Sequence, residues 1–388
     1  MQIANIDKCC GCSACEAICP KNAILMKPDN LGFLYPIIDT RICIDCGICR
    51  NICPIDGIKS ENEIKEAFAV MNNDTDTRMK SSSGGVFSIL AKKVISEKGI
   101  VFGVRLDEHQ TVIFDKAEEE SQLEAFYGSK YVQAKMGDVY RDCKKEVLSG
   151  RQVLFSGTPC QIAGLKCFLK IEYENLLCVD FICHGVPSPA LWQKYIKFQE
   201  KKSASPIVKT AFRHKKYGWK QYSLQLTFAN CSEYCQPLNT DKYLQLFLGD
   251  NCLRESCYKC FAKGLKRFSD ITIADFWGIQ NIDSSMDDDR GTSFVCVNSI
   301  KGQRYFTEIL HNAKVKSVQV NEGVQFNPSM VNPIMRNYKR TRFQKDFVKR
   351  DINFLYKKYG TISFLSKLLF FIKKAMKKVV RIGNRNKE

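Results

Sequence analysis

The sequence predicts a mixed α/β chain in unequal parts: a small cysteine-stapled N-terminal domain, a larger α/β body, and a basic helix at the C-terminal end. Three observations predict it. Two cysteine runs of identical spacing stand within the first sixty residues; strand, turn and helix signals alternate in the body; and beyond Asn332 basic residues gather around an apolar stripe of helical period.

At 388 residues the chain has room for two or three domains, and an apolar fraction of 45% supports an ordinary buried core rather than disorder. Boundaries are expected at 1–60, 65–148, 149–330 and 331–388. The 20 cysteines far exceed common usage, and only nine lie in the first part. A formal charge of +18 invites an anionic partner, whether nucleic acid, an anionic membrane or a phosphate-rich cofactor. No nucleic-acid recognition motif accompanies the charge, so that partner is not expected.

The first run is Cys9-Cys10-Gly11-Cys12-Ser13-Ala14-Cys15-Glu16-Ala17-Ile18-Cys19-Pro20. The second is Cys43-Ile44-Asp45-Cys46-Gly47-Ile48-Cys49-Arg50-Asn51-Ile52-Cys53-Pro54. Both fit C-x2-C-x2-C-x3-C-P, in which three thiolates on a tight loop serve one iron–sulfur cubane and the fourth serves the other. The spacing assigns Cys9, Cys12, Cys15 and Cys53 to one [4Fe–4S] cluster, and Cys43, Cys46, Cys49 and Cys19 to a second. Cys10 falls out of register and reads as a bystander. Zinc modules present separated C-x2-C pairs instead, and a disulfide framework needs an oxidising compartment, for which no signal peptide precedes Met1-Gln2-Ile3-Ala4. The segment reads as a bacterial-type ferredoxin domain in a reducing cytoplasm, with the clusters as its staples.

Residues 60–80 are polar and predict a linker with one short strand over 67–71. Ser81-Ser82-Ser83-Gly84-Gly85 then feeds a helix over 86–95. Free N–H groups, hydroxyls and the helix dipole suit such a loop to a phosphate, but the string is neither a P-loop nor a dinucleotide fingerprint, and its pattern alone favours a plain capped helix. Residues 100–106 and 111–114 predict a hairpin, and 138–148 a helix.

Two units of one grammar follow: strand 152–155, turn Ser156-Gly157-Thr158-Pro159-Cys160 and helix 161–169; then strand 176–182, turn Cys183-His184-Gly185-Val186-Pro187 and helix 190–202. Such units pair in parallel, and ligands bind beyond the carboxyl ends of the strands. A third strand, 270–274, ends in Asp275-Phe276-Trp277-Gly278, after Leu253-Arg254-Glu255-Ser256-Cys257-Tyr258-Lys259-Cys260. Cys160, Cys183, Cys257 and Cys260 thus gather at turns and either share a third [4Fe–4S] cluster or are small buried hydrophobes. A redox-active thiol at Cys160, its pKa lowered by the helix N-terminus, is the weaker option. Cys143, Cys167, Cys178, Cys231, Cys235, Cys252 and Cys296 read as packing residues.

At these turns the chain also resembles a known family. Ser82-Ser83-Gly84-Gly85, Gly128-Ser129-Lys130-Tyr131, Gly157-Thr158-Pro159-Cys160-Gln161, Cys183-His184-Gly185-Val186-Pro187-Ser188, Phe212-Arg213 with Gly218-Trp219, Ser256-Cys257-Tyr258-Lys259-Cys260 and Asp275-Phe276-Trp277-Gly278 occur in order. Together they resemble the family of coenzyme F420 hydrogenase/dehydrogenase beta subunits, roughly over residues 65–300. The resemblance implies a flavin-binding body that passes electrons between clusters, FAD and an organic acceptor. That acceptor is a deazaflavin in methanogens and a chlorophyll derivative in plants, so the substrate, F420 included, stays open.

The resemblance also implies that Ser82, Ser83, Gly84 and Gly85 contact FAD, and that Lys130, Arg213, Lys215 and Lys216 neutralise its pyrophosphate or an anionic substrate; a solvated basic face is the alternative. Trp219 or Trp277 would cover the flavin ring or merely pack. His184 would donate a proton near the flavin or hydrogen-bond a cluster ligand. The fused ferredoxin departs from the simplest family pattern and supplies its own electron feed.

Over 362–381 apolar residues recur at three and four with lysines between them, a pattern too broken to span a bilayer but suited to an anionic membrane surface or to docking on the protein. The sequence therefore predicts a cytoplasmic, membrane-peripheral iron–sulfur flavin oxidoreductase. It is fed by a redox donor protein and acts on an organic small molecule. The alternative is a non-catalytic ferredoxin-like carrier serving a separate reductase.

Overall fold

The computed structural model describes residues 3–57 and 61–361; the helix expected over 362–381 lies outside them. An antiparallel pair, β1 (Ile24–Pro28) and β2 (Leu34–Ile38), follows the first cysteine run. The body contributes β3 (Glu66–Asn72), β4 (Ile100–Leu106), β5 (Val112–Ala117), β6 (Val153–Gly157), β7 (Leu176–Phe181), β8 (Ile207–His214), β9 (Ser223–Phe228), β10 (Glu233–Pro237), β11 (Ile271–Asp275), β12 (Ser293–Val297) and β13 (Ala313–Val318).

Eight of these form one sheet in the order β13-β3-β12-β11-β7-β6-β4-β5. Its centre is parallel, β4 with β6, β6 with β7, and β7 with β11, because helices return the chain between those strands. The flanks are antiparallel, including the β4–β5 hairpin. Both faces are covered, and alternate residues feed two cores. Val101, Leu154 and Leu177 meet Leu90 and Val94 of the helix Val86–Ser96 and Phe306 of the helix Ile300–Ile309. Phe102, Phe155 and Cys178 join the core that holds Tyr140, Ile162, Leu165 and Trp192.

Residues 60–80 do more than link. The short strand expected over 67–71 is β3, which lies inside the sheet between β12 and β13, and a short helix, Thr75–Lys80, follows where a linker is expected. The ferredoxin segment is likewise built into the body. Cys12, Ala14, Leu31, Phe33 and Ile52 belong to the same core as the helix Pro159–Leu169, and Arg141 donates to the carbonyls of Glu16 and Ala17.

The basic stretch past residue 331 is partly core as well: Phe343, Phe347, Ile352, Leu355 and Tyr359 are buried on the body. A separate three-stranded sheet, β10-β9-β8, completes the fold. Among the described residues no helix is long and apolar enough to cross a membrane.

Candidate functional site

The two cysteine runs repeat one backbone trace. Gly11 (φ +71°) and Asp45 (φ +49°) precede the second cysteine of each run; Ser13 (φ +60°) and Gly47 (φ +71°) follow it. Two left-handed residues so close together curl the loop tightly. The short helices Ala14–Ile18 and Ile48–Asn51 then carry Cys15 and Cys49, and the chain leaves them at Cys19 and Cys53.

The structure brings Cys9, Cys12, Cys15 and Cys53 around one cavity of about 140 Å³, and Cys19, Cys43, Cys46 and Cys49 around another. Burial, then the charge of neighbouring thiols, pushes the Cys53 thiol up to about 11 and raises Cys15 further. Among the described residues no three His, Cys, Asp or Glu side chains converge closely enough to hold a single metal ion. Four thiols around one cavity suit a cubane.

A third cavity brings Cys160, Cys183, Cys257 and Cys260 together with His184, Lys263 and Arg267. It opens at the carboxyl edge of the parallel strands. Cys160 is in the first turn of the helix after β6, capped by Thr158, and Cys183 stands just past β7. Cys257 lies in the turn Glu255–Lys259, where its sulfur accepts the Val186 N–H at 3.4 Å. Burial pushes the Cys183 thiol up to about 12.

Cys10 also lines this third cavity while lining the first, with its thiol close to that of Cys160. It is the side chain shared by two cysteine-lined sites. The contact with Cys10, together with burial, raises the Cys160 pKa, opposite to the lowering expected from the helix N-terminus, so an activated lone thiol does not fit. His184 is held by Asp250, Nε2 to Oδ1 at 2.6 Å, and edge-on to Phe247. Of the packing cysteines, Cys143, Cys178, Cys252 and Cys296 are buried, whereas Cys231 is exposed.

The remaining candidates meet at the end of β11. Asp275 takes both Nη atoms of Arg213, at 2.9 and 2.8 Å, and the Trp219 indole N–H at 2.7 Å. Trp219 stacks on Trp277 with ring centres 4.7 Å apart and planes 6° from parallel. Arg213 also donates to the Ser82 carbonyl, and Lys215 donates to the carbonyls of Arg78, Ser83 and Arg290. Ser83 Oγ donates to the Thr292 carbonyl, and Gly84 donates its N–H to Ser293 Oγ. At Gly84 a Cβ would stand 2.2 Å from the Val70 carbonyl oxygen, so only glycine lets the loop lie against β3.

Ser82 is hydrogen-bonded to Ser129, next to Lys130, whose ammonium donates to the Ala125 and Tyr127 carbonyls; desolvation lowers its pKa to about 7. Lys215 and Arg213 thus spend their charge holding the loop, while Lys216 is exposed. Arg213 Nε is buried without a protein partner beside this node, and Trp277 keeps part of its ring accessible. An orphaned donor and an aromatic face fit a flavin.

Four residues of these sites are invisible to motif reading: Gln133, which lines the third cavity, Arg254, which donates to Gln133 and to the Cys9 carbonyl, Asp250, and Asp275 in its role as clamp. Their partners are distant in sequence, and only the turn strings around Arg254 and Asp275 hint at them.

A ferredoxin segment with two crossed cysteine sets, built into a parallel-centred α/β body, defines an iron–sulfur electron-transfer protein. Residues 8–57 match the 4Fe-4S dicluster domain, which carries two [4Fe–4S] clusters, and residues 150–322 match the model for the C terminus of the coenzyme F420 hydrogenase/dehydrogenase beta subunit. The likeness to that family of beta subunits rests on residues 150–322, with a dicluster ferredoxin domain in front.

Among relatives, one of the subunits of the F(420)H(2) dehydrogenase of Methanosarcina mazei is 24% identical over 234 residues, 56% of this chain; the chain spans just 65% of that protein's length. A ferredoxin-like protein in the nif region of Rhizobium leguminosarum bv. trifolii is 39% identical over 54 residues, 12% of this chain and 77% of that one. A chain of the F420-reducing [NiFe] hydrogenase complex from Methanosarcina barkeri is similar at a TM-score of 0.46 and 15% identity, covering 78% of this chain and 95% of that one.

Proposed function

We propose that the chain is a cytoplasmic iron–sulfur flavin oxidoreductase that carries electrons from a low-potential donor protein to an organic small molecule. The observation that carries the reading is the row of three cysteine-lined cavities, the first and third sharing Cys10. In this reading Cys9, Cys12, Cys15 and Cys53 hold one cluster, Cys43, Cys46, Cys49 and Cys19 the second, and Cys160, Cys183, Cys257 and Cys260 a third. FAD is held by the Ser82–Gly85 loop, Lys130 and Trp277. Bound clusters exchange single electrons, and a flavin converts them to hydride pairs.

The protein's own contribution is positioning. Asp275 fixes Arg213 and Trp219, Arg213 and Lys215 fix the loop by its carbonyls, and Asp250 orients the imidazole of His184 at the third site. The organic partner is of the deazaflavin class, coenzyme F420, by analogy with the dehydrogenase of M. mazei.

Iron and acid-released flavin on anaerobically purified protein test this. About twelve irons with about one flavin per chain support it, and about eight irons remove the third cluster. A cluster-replete protein that binds no offered FAD would favour the alternative, a non-catalytic carrier, which the protein-committed charges of Arg213 and Lys215 also suit. Residues 362–381 are proposed to rest on an anionic membrane; flotation with phosphatidylserine vesicles, lost on truncation at 361, checks it.

A further inference from the structure

Five arginines are buried among the described residues, and four of them face a carboxylate. Arg78 pairs with Asp288, Arg213 with Asp275, Arg267 with Asp180 and Arg340 with Glu255, at 2.5 to 2.8 Å. The fifth, Arg254, is wholly buried and has no such partner. Its Nε donates to the Cys9 carbonyl at 2.7 Å, Nη1 to Gln133 Oε1 at 2.9 Å and Nη2 to the Leu34 carbonyl at 2.9 Å. Nη2 also reaches the Cys9 sulfur at 3.6 Å. The guanidinium lies 4.1 Å from the centre of the Tyr35 ring, which closes the site on that side.

Arginine stays protonated in proteins, and a buried charge left without a counter-charge costs several kcal/mol. The fold compensates the other four with acids, so Arg254 needs an anion too. Of its hydrogen-bond partners among the described residues only the Cys9 sulfur can become one. The surroundings are shaped for this arrangement: a Cβ at Gly11, within the cysteine loop, would stand 2.7 Å from Arg254 Nη1 and 2.6 Å from Gln133 Nε2. The backbone of Arg254 is tied to the third cavity, since its N–H donates to the Val186 carbonyl and its carbonyl accepts the Cys257 N–H. One residue therefore stands in both cysteine sites, with its charge directed at the first.

We infer that Arg254 is the built-in counter-charge of the iron–sulfur centre held through Cys9, and that it raises that centre's reduction potential. This rests on the reading that Cys9, Cys12, Cys15 and Cys53 share one centre. The couple is a one-electron couple: the centre gains one electron on reduction, Arg254 keeps its proton in both states, and no bond is made or broken. An added negative charge is stabilised by a cation and an N–H donor at the sulfur, more so where water is excluded. Charge and sulfur hydrogen bonds are the levers by which a protein sets such potentials.

The test is an anaerobic redox titration of the full chain, followed by EPR, on the unaltered protein and on Arg254→Gln and Arg254→Lys. In Arg254→Gln one N-terminal centre is expected to shift to lower potential, so that at the unaltered midpoint its reduced-to-oxidised ratio falls at least tenfold, which is about 59 mV for one electron. Arg254→Lys keeps the charge and loses the fork, and is expected to recover part of the shift. The other centres serve as internal references and should not move. If Arg254→Gln fails to hold iron, the lysine variant decides: a lowered midpoint supports the inference and an unchanged one overturns it. A midpoint that stays within twofold of the unaltered ratio with iron retained, or an equal shift of every centre, overturns it as well. Unaltered protein lacking N-terminal iron would instead sink the cluster assignment, a separate failure read from the iron count.

Discussion

Gly164 and Cys12 lie so close that a side chain at the glycine would strike the cysteine: a Cβ there would stand 2.9 Å from Cys12 Sγ, Cys12 Cβ and Tyr140 Oη alike. The helix Pro159–Leu169 therefore touches the first cysteine site at Gly164 and contributes Cys160 to the third one turn earlier. Gly164→Ala sets two effects against each other. In an open helix alanine would gain about 1 kcal/mol by propensity, whereas overpacking costs about 1–3 kcal/mol. Here the neighbours are a buried cysteine and a buried tyrosine with no room to move, so the contact wins. The variant should melt earlier and lose iron from the first site, read by thermal unfolding and iron analysis; unchanged iron and a higher melting temperature would refute this.

Four cysteines suffice for a cubane, and the third cavity has five thiols on its wall. Cys257→Ala should remove about four irons per chain, while Cys10→Ala should remove none, because Cys10 borders two sites and completes neither. Iron analysis with EPR of the N-terminal centres separates the two. Iron loss in Cys10→Ala would make that thiol a ligand.

What the sequence made legible is what is local. The cysteine spacing, the strand–turn–helix units and the hairpin over 100–114 each depend on residues a few positions apart, and their pattern survives in the observed strands and parallel pairing. In the sheet β8–β10 only β9 carries a regular strand signal, Leu224, Leu226 and Phe228 alternating with Ser223, Gln225 and Thr227; β8 and β10, with Lys209, Arg213 and Glu233, have no such alternation. β3 matches the short strand expected over 67–71, but its place between β12 and β13 inside the sheet was not legible from its polar surroundings. The clamp between Arg213 and Asp275 joins residues 62 apart, and that between Arg254 and Cys9 joins residues 245 apart. No periodicity reports such pairs, since they exist only once distant parts of the chain have folded together.

Asp275→Asn is the sharpest test of the node at the end of β11. Asparagine keeps an acceptor for the Trp219 indole, so the loss reports the ion pair with Arg213, whose side chain is only 4% exposed. Breaking a buried pair on one side costs about 3–5 kcal/mol. Urea unfolding should show a loss of that order, and the protein should retain less flavin; a loss under about 1 kcal/mol, the value of a surface pair, would contradict the burial argument.

The Arg78–Asp288 pair gives a pH dependence of known sign. Burial acts to raise the Asp288 carboxyl, but the hydrogen bond and charge of Arg78 outweigh it and hold the group below its ordinary value. Arg78 also donates Nε to the Gly291 carbonyl at 2.8 Å, and the adjacent Arg290 carbonyl accepts Lys215, so the pair pins the segment that lies against the Ser82–Gly85 loop. A carboxyl whose folded pKa is depressed contributes stability above its unfolded pKa of about 3.9 and loses it as pH falls through the folded value. The gap in melting temperature between the unaltered protein and Asp288→Asn should therefore be full near pH ~6 and narrow only below about pH 4. Reading the difference at each pH cancels the acid lability of the clusters, which both proteins share. A gap that persists undiminished to about pH 2, or one that closes already above about pH 5, would show that Asp288 is not the group that holds Arg78.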